Sequence, residues 1–200
     1  MKGAIRHAYV HVPFCRHRCG YCDFTLVAGR DDLFDDYYTA LGIELKRLVE
    51  PIELSTLYLG GGTPSHLGPE GIRQLFDVLH DVLHPASAAE VTIEANPLDI
   101  SEATIEAFHR CGINRVSLGV QSLNPLTLST LDRDHRADDV RRVMYLLLES
   151  GFTVSVDLII AAPKQTLDAA SRDIEAITSL GAQHVSVYCL TWEQGTAFWG

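Results

Sequence analysis

The sequence predicts an α/β protein, a partial barrel of six parallel strands in which helices join successive strands. Segments rich in β-branched residues alternate strictly with segments whose apolar residues recur every three or four positions. Gly112, Gly151 and Gly181 each follow a helical segment and precede a strand, where a left-handed residue commonly ends a helix. Strict alternation gives parallel strands with right-handed crossovers, and an open doubly wound sheet is the alternative. The 200 residues are few for a complete eightfold barrel, which takes about 250.

The elements follow in order along the chain. The strands are predicted at Ala8 to Val12, Thr56 to Leu59, Glu90 to Ala95, Arg115 to Leu118, Thr153 to Ile160 and His184 to Leu190. Four of the five predicted helices have clear amphipathic spacing, with apolar residues at 34–48, 72–83, 140–147 and 167–177, and the fifth ends near residue 111. We interpret residues 1–200 as one core domain. Because no helix follows the last strand, we expect an N-terminal fragment of a longer protein whose C-terminal domain is absent.

Composition limits the compartments and partners that this chain fits. A hydrophobic content of 46% is enough for one substantial core. A net charge of -10 repels phosphate groups and argues against binding to nucleic acids or anionic membranes. No apolar run is long enough to span a bilayer, and the start of the chain has no apolar signal region. Five unevenly spaced cysteines do not resemble a secreted disulfide framework, so we expect a cytoplasmic protein.

Three cysteines lie close together just after the first predicted strand. Cys15, Cys19 and Cys22 have the spacing C-x3-C-x2-C, and neither period 2 nor period 3.6 places them on one apolar face. Thiolates bind iron–sulfur clusters, and three of them leave one iron of a cubane without a cysteine. A zinc site and a redox dithiol are the alternatives. Cys111 and Cys189 fit buried structural positions.

Polar residues follow the other strands, at the end of the sheet where parallel α/β proteins hold their chemistry. The loop from Gly60 to Ser65 begins with three glycines, which either expose backbone groups to a ligand or simply form a tight turn. It lacks the P-loop pattern. Glu94 lies near the end of one predicted strand and Asp157 lies within another, and both carboxylates fit either a polar cavity or ion pairs inside the barrel. Arg133 has a weaker case, because it fits a solvated loop.

These segments together resemble a known family. The resemblance runs from about Tyr9 to Gly195 and rests on five motifs, which are Tyr9 to Cys15, Cys22 to Phe24, Gly60 to Ser65, Thr92 to Pro97, and Asn114 to Ser122. They resemble the radical S-adenosylmethionine (SAM) proteins of the oxygen-independent coproporphyrinogen III oxidase group and, within it, the HemW-type haem chaperones.

The resemblance implies cofactors and a role for each matched residue. By it, Cys15, Cys19 and Cys22 ligate a 4Fe-4S cluster, and SAM chelates the iron that has no cysteine. In the family, one electron from the cluster cleaves SAM to a radical that abstracts hydrogen. The contacts to SAM would be shared: Tyr9 and Tyr21 line the cofactor, Gly61, Gly62 and Thr63 meet its methionine end, and Glu94, Gln121, Arg133 and Asp157 fix its charged and ribose groups.

One position separates two functions within the group. The oxidases carry a fourth cysteine two residues after the last cluster cysteine, and this chain has Phe24 there. The oxidases also have a longer segment before the first strand. Both features favour a chaperone that binds haem and passes it to an acceptor protein; the alternative is oxidative decarboxylation of coproporphyrinogen III. The implied partners are haem or another tetrapyrrole, the haem acceptor and a flavodoxin- or ferredoxin-type electron donor.

The chain departs from the family pattern at two places. The segment from Asp157 to Thr166 replaces the Tyr-Gly-Leu-Pro-Gly-Gln-Thr pattern that is common in the family after the aspartate, and Asp132 stands where a glycine is usual. Both changes predict loop shapes that differ from those of the family. His135 is a candidate haem ligand, although a single histidine in a loop is more often solvated.

Overall fold

The computed structural model describes residues 5–48 and 50–199 and contains one six-stranded parallel sheet. Its strands, in spatial order, are β1 (His7–Val12), β4 (Ile52–Gly61), β5 (Leu83–Ala95), β6 (Arg115–Gln121), β7 (Thr153–Ile160) and β8 (His184–Cys189). The short strands β2 (Phe14–Cys15) and β3 (Val27–Ala28) form a separate parallel pair. The helices are α1 (Phe34–Leu45), α2 (Gly68–Leu79), α3 (Glu102–Arg110), α4 (Pro125–Thr130), α5 (Ala137–Glu149) and α6 (Leu167–Ser179). The predicted partial barrel of parallel strands is confirmed.

Two local predictions were wrong. Leu83 fits the helical spacing of α2, but that helix ends at Leu79 and Leu83 begins β5. The short helix α4 was missed, although Asn124 caps it by accepting hydrogen bonds from the N–H groups of Leu126 and Thr127. Both errors have one cause, since apolar spacing alone does not mark where a helix starts or stops.

The two faces of the sheet differ in chemistry. Val91, Val116 and Leu118 face outward and, with residues such as Phe76 and Phe108 from the helices, belong to the buried core. The alternate residues face inward and are largely polar, among them His7, Tyr9, Thr56, Tyr58, Glu90, Thr92, Glu94, Arg115, Ser117, Ser155 and Asp157. The hydrophobic core therefore lies between sheet and helices, and the inside of the barrel is polar.

Three connections turn the chain sharply just after a helix ends. Gly112, Gly151 and Gly181 have φ values of 70°, 82° and 91°, which confirms their prediction as left-handed residues after helices. Within residues 5–48 and 50–199, no helix is long and apolar enough to cross a membrane.

The last strand forms one edge of the sheet. β8 pairs only with β7 among the described strands, and much of its surface is exposed. Cys189 is exposed there, so the prediction that it is a buried packing residue was wrong, whereas Cys111 is buried as expected. An alternating apolar pattern does not reveal whether a strand lies at an edge.

Candidate functional site

A cavity of about 430 Å³ lies at the carboxyl ends of the strands. Every residue that the sequence nominated for the cluster or for SAM lines it except Tyr9. Those residues come from the cysteine loop after β1 and from the ends of β4, β5, β6 and β7, together with the loop after α4. Parallel strands bring their carboxyl ends to one side of the sheet, so residues far apart in sequence meet there.

Arg18 organises the cysteine loop from its exposed side. Its guanidinium donates hydrogen bonds to the carbonyl oxygens of Cys22 (3.0 Å), Phe24 (3.2 Å) and Leu26 (3.2 Å). The planar guanidinium thus supplies hydrogen bonds to three loop carbonyl groups that do not belong to a helix or strand. The loop that carries the three cysteines is therefore held closed by a side chain that lies between two of them.

Two of the three thiols have a polar neighbour. The Oγ1 atom of Thr63 lies 3.3 Å from Sγ of Cys15, and Nη1 of Arg133 donates to Sγ of Cys19 at 3.8 Å. Burial is the main cause that raises the pKa of the Cys15 and Cys22 thiols, with the neighbouring cysteines adding to it for both. Binding a metal centre at these thiols would release protons.

The three cysteine thiols fit an iron–sulfur cluster better than a single metal ion. Among the described residues, no three His, Cys, Asp or Glu side chains come close enough to hold a single metal ion. Cys15, Cys19 and Cys22 nevertheless line the same cavity as free thiols. Three sulfurs around a cavity fit a cubane better than a zinc ion, because each thiolate of a cubane binds a different iron.

The glycine loop after β4 passes very close to the cysteine loop. A Cβ atom on Gly62 would lie 2.6 Å from the carbonyl oxygen of Phe14, and Gly61 has φ of 120°. The Gly62 N–H donates to the Val12 carbonyl oxygen at 2.8 Å. Close backbone approach therefore requires these glycines in any case, and the same turn also presents Gly61, Gly62 and Thr63 to the cavity.

Glu94 is held at both carboxylate oxygens. Tyr58 donates its hydroxyl to Oε1 at 2.9 Å, and the Gly61 N–H donates to Oε2 at 3.0 Å. Burial raises the pKa of Glu94 most, and these two hydrogen bonds oppose that rise. No described residue forms an ion pair with Glu94, so the predicted alternative of a salt bridge inside the barrel is not what holds it.

Asp157 and Gln121 complete the polar wall of the cavity. Asp157 accepts a hydrogen bond from the Ser117 hydroxyl at 3.1 Å, and within the described ranges it too has no ion-pair partner. Gln121 ends β6 with φ of 64°. Asp173 of α6 fixes the turn that follows, because its buried carboxylate accepts from the Ser122 hydroxyl and from the Leu123 N–H.

Arg133 is not the solvated loop charge that the sequence allowed. Its Nη2 donates to the Gly119 carbonyl oxygen at 2.9 Å, and its Nε is buried with no partner among the described residues. Asp132 precedes it in the left-handed region, with φ of 52°, and accepts the Gly20 N–H at 2.9 Å. A buried, unpaired guanidinium nitrogen beside a cavity fits a ligand that carries a carboxylate.

Three further nominated residues lie in different surroundings. Tyr9 is 58% exposed, stacks on Tyr58 with ring centroids 5.8 Å apart, and does not line the cavity. Tyr21 lines the cavity and packs against Phe198. His135 is only 2% exposed, and its Nε2 lies 2.9 Å from the Val120 carbonyl oxygen, so the expectation of a solvated loop histidine was wrong.

Sequence reasoning missed Tyr58, Ser117 and Arg18. Tyr58 and Ser117 sit within apolar strands, where a tyrosine and a serine have no distinctive signal. Inward orientation was the available clue, since both occupy the same alternation as Glu94 and Asp157. Arg18 lies inside the cysteine motif, but its three backbone contacts depend on the loop shape.

Comparison with known proteins agrees with this geometry. The Radical SAM superfamily model matches residues 9–177. The chain is 36% identical over 200 residues to the heme chaperone HemW of Bacillus subtilis, covering 98% of this chain and 53% of that protein. It is 38% identical over 192 residues to HemW of Lactococcus lactis, covering 96% and 50%. The chain thus spans about half the length of these curated relatives.

Solved structures share the fold. The coproporphyrinogen III oxidase HemN of Escherichia coli, described as a radical SAM enzyme, superposes with a TM-score of 0.87 and 28% identity, covering 94% of this chain and 45% of that one. The family match, the parallel half-barrel and the cysteine-lined cavity lead to one conclusion: the chain belongs to the radical SAM superfamily.

Proposed function

We propose that the protein is a HemW-type haem chaperone, which binds a 4Fe-4S cluster, SAM and haem and transfers the haem to an acceptor protein. Membership of the family implies the cluster and SAM. The single observation that favours the chaperone over the oxidase is Phe24, which is 64% exposed beside the cavity at the position of the oxidases' fourth cysteine. The similarity to curated HemW proteins also supports this choice.

Cavity residues of different charge would bind different parts of the cluster and of SAM. Cys15, Cys19 and Cys22 would hold the cluster, whose bound form supplies an electron to SAM. Glu94 would accept hydrogen bonds from the SAM ammonium, and Arg133 would donate to its carboxylate.

The ribose and the cluster environment involve other groups. Asp157 would accept from the ribose hydroxyls while Ser117 keeps its carboxylate oriented, because the serine hydroxyl donates to Oδ2. Thr63 and Arg133 stabilise negative charge at Cys15 and Cys19 through the contacts described above.

Oxygen-independent coproporphyrinogen III oxidase is the second candidate. A specific observation favours it, since the chain superposes on E. coli HemN with a TM-score of 0.87. The two candidates predict different products. The oxidase converts a porphyrinogen and consumes SAM, whereas the chaperone returns haem unchanged to an acceptor.

The test uses the full-length protein after anaerobic cluster reconstitution. We expect an electron paramagnetic resonance signal from the reduced cluster that shifts when SAM is added, a Soret band on haem titration, and haem transfer without porphyrinogen decarboxylation. Cys22→Ser should lose the cluster, whereas Cys111→Ser should keep it, since Cys111 is buried outside the cavity. Decarboxylation of coproporphyrinogen III without haem uptake would replace the chaperone with the oxidase. A cluster signal that ignores SAM would refute both.

A further inference from the structure

Tyr58 faces the inside of the barrel next to the cavity and contacts one of the carboxylates that line it. It occupies β4, two residues before the glycine turn, and its hydroxyl donates to Oε1 of Glu94 at 2.9 Å. Tyr58 does not line the cavity, whereas Glu94 does. Tyr58 also lies near Ser117 and Asp157, so an effect of Tyr58 on a bound ligand passes through one of these two residues or through Glu94, which accepts its hydrogen bond.

The residues around Tyr58 leave room for this hydrogen bond and fix the position of its ring. The ring of Tyr58 is stacked on Tyr9 at an interplanar angle of 18°. A Cβ atom at Gly60 would lie 2.8 Å from both the Tyr58 ring and Oε1 of Glu94, so only glycine lets these two side chains meet. The second oxygen of Glu94 is occupied by the Gly61 N–H. Both oxygens are thus fixed from β4, and the remaining lone pairs are free for a ligand in the cavity.

Tyr58 is a permanent donor. Burial, followed by the charge of Glu94, raises the pKa of Tyr58 well above its ordinary value, so the phenol stays protonated across the working range of pH. The groups that face Glu94 are Gly61 and Tyr58 from β4, His11 and Tyr9 from β1, and Asp157 from β7. Of these, the Gly61 N–H and the Tyr58 hydroxyl donate hydrogen bonds to the carboxylate.

We propose that Tyr58 is a positioning residue that keeps the Glu94 carboxylate ionised and aimed at the ammonium group of SAM. The inference deepens the proposed function and rests on it. A charged hydrogen-bond acceptor loses more than a neutral one when a donor is removed. Removing the hydroxyl should therefore weaken ligands that present an ammonium group and spare ligands that lack one.

The experiment compares Tyr58→Phe with the unchanged full-length protein, both with reconstituted clusters. We expect SAM to bind the variant about fivefold to tenfold more weakly at pH 7. Methylthioadenosine, which has no amino acid portion, should bind both proteins equally. The loss for SAM should grow as the pH falls, because the carboxylate without its donor protonates at higher pH.

Tyr38→Phe is the matched control. Its hydroxyl is buried and donates to the Gly71 carbonyl oxygen at 3.0 Å, away from the cavity. It should lower the thermal stability about as much as Tyr58→Phe and leave SAM binding unchanged. The retained rings in both variants keep the packing of β4 and α1 intact.

A double-mutant cycle tests whether Tyr58 acts through Glu94. In a Glu94→Gln background, Tyr58→Phe should weaken SAM no further, because the ionised acceptor is already gone. Equal weakening of SAM and methylthioadenosine, a loss independent of pH, or additive effects in the cycle would each overturn the positioning role while leaving the proposed function intact. If the unchanged protein binds no SAM, both proposals fail.

Discussion

Ala161 and Lys164 hold a strained backbone beside the cavity, and glycine at either position should stabilise the protein. Their φ values are 61° and 65°. A left-handed conformation costs a residue with a Cβ atom about 1–2 kcal/mol, and glycine avoids this but loses about 0.5–1 kcal/mol of extra chain entropy. Both side chains are exposed, so little packing is lost. We expect Ala161→Gly and Lys164→Gly each to raise the free energy of unfolding by about 0.5–1 kcal/mol.

Asp132→Gly serves as the contrast. Asp132 also has a positive φ, but its carboxylate accepts the Gly20 N–H, so glycine relieves strain and removes a hydrogen bond of similar worth. Its stability should change little or fall.

Urea denaturation of the full-length protein measures all three variants. With a slope of about 3 kcal/mol per molar urea, Ala161→Gly and Lys164→Gly should each move the midpoint up by about 0.2–0.3 M without altering the slope. The reasoning is wrong if neither glycine raises the midpoint, or if Asp132→Gly raises it more than they do.

Three further outcomes follow from buried polar groups. Asp173→Ala should lower the free energy of unfolding, measured by urea denaturation, by about 3 kcal/mol, because the Ser122 hydroxyl and the Leu123 N–H both lose their acceptor. Asp168 lies on the same helix but is exposed and ion-paired, so Asp168→Ala should lower it by less than about 0.5 kcal/mol. Burial lowers the pKa of His135 to about 4, so the unfolded chain takes up this proton at a higher pH than the folded chain does. The free energy of unfolding should therefore fall by about 3 kcal/mol from pH 7 to pH 4, and His135→Gln should reduce this dependence on pH. Ser155→Ala should raise the thermal midpoint, since its Oγ is buried without a partner among the described residues; a drop would mean that the hydroxyl is satisfied.

The sequence was a good guide to the fold because its signals are local. Alternating strand and helix patterns need only their own residues, and the glycines after helices reflect one backbone requirement. The short pair β2 and β3 was not foreseen, because strands of two residues leave no periodic pattern. The extent of β4 and β5 was underestimated. The first seven residues of β5, Leu83 to Ala89, have no β-branched side chain, and the missed start of β4, Ile52 to Ser55, has only one.

The candidate site was foreseen only in part. Cys15, Glu94 and Asp157 attract notice by their chemical type. The contacts that hold them depend on strand register, which apolar periodicity does not determine. Tyr58 meets Glu94 only because β4 and β5 are aligned so that Tyr58 faces Thr92. Such pairings are properties of the folded sheet, and a tyrosine within a strand looks like any other.

Because the two faces of the sheet differ in chemistry, neighbouring residues of a strand contribute to different properties of the protein. Along β6, Val116 and Leu118 bury apolar surface, while Ser117 and Gly119, which alternate with them, face the cavity. Substitutions scored for cellular abundance and for SAM binding should therefore peak at alternate positions along this strand, with the two patterns offset by one residue. Selection can thus alter what the cavity accepts at one set of positions while the other set keeps the chain folded.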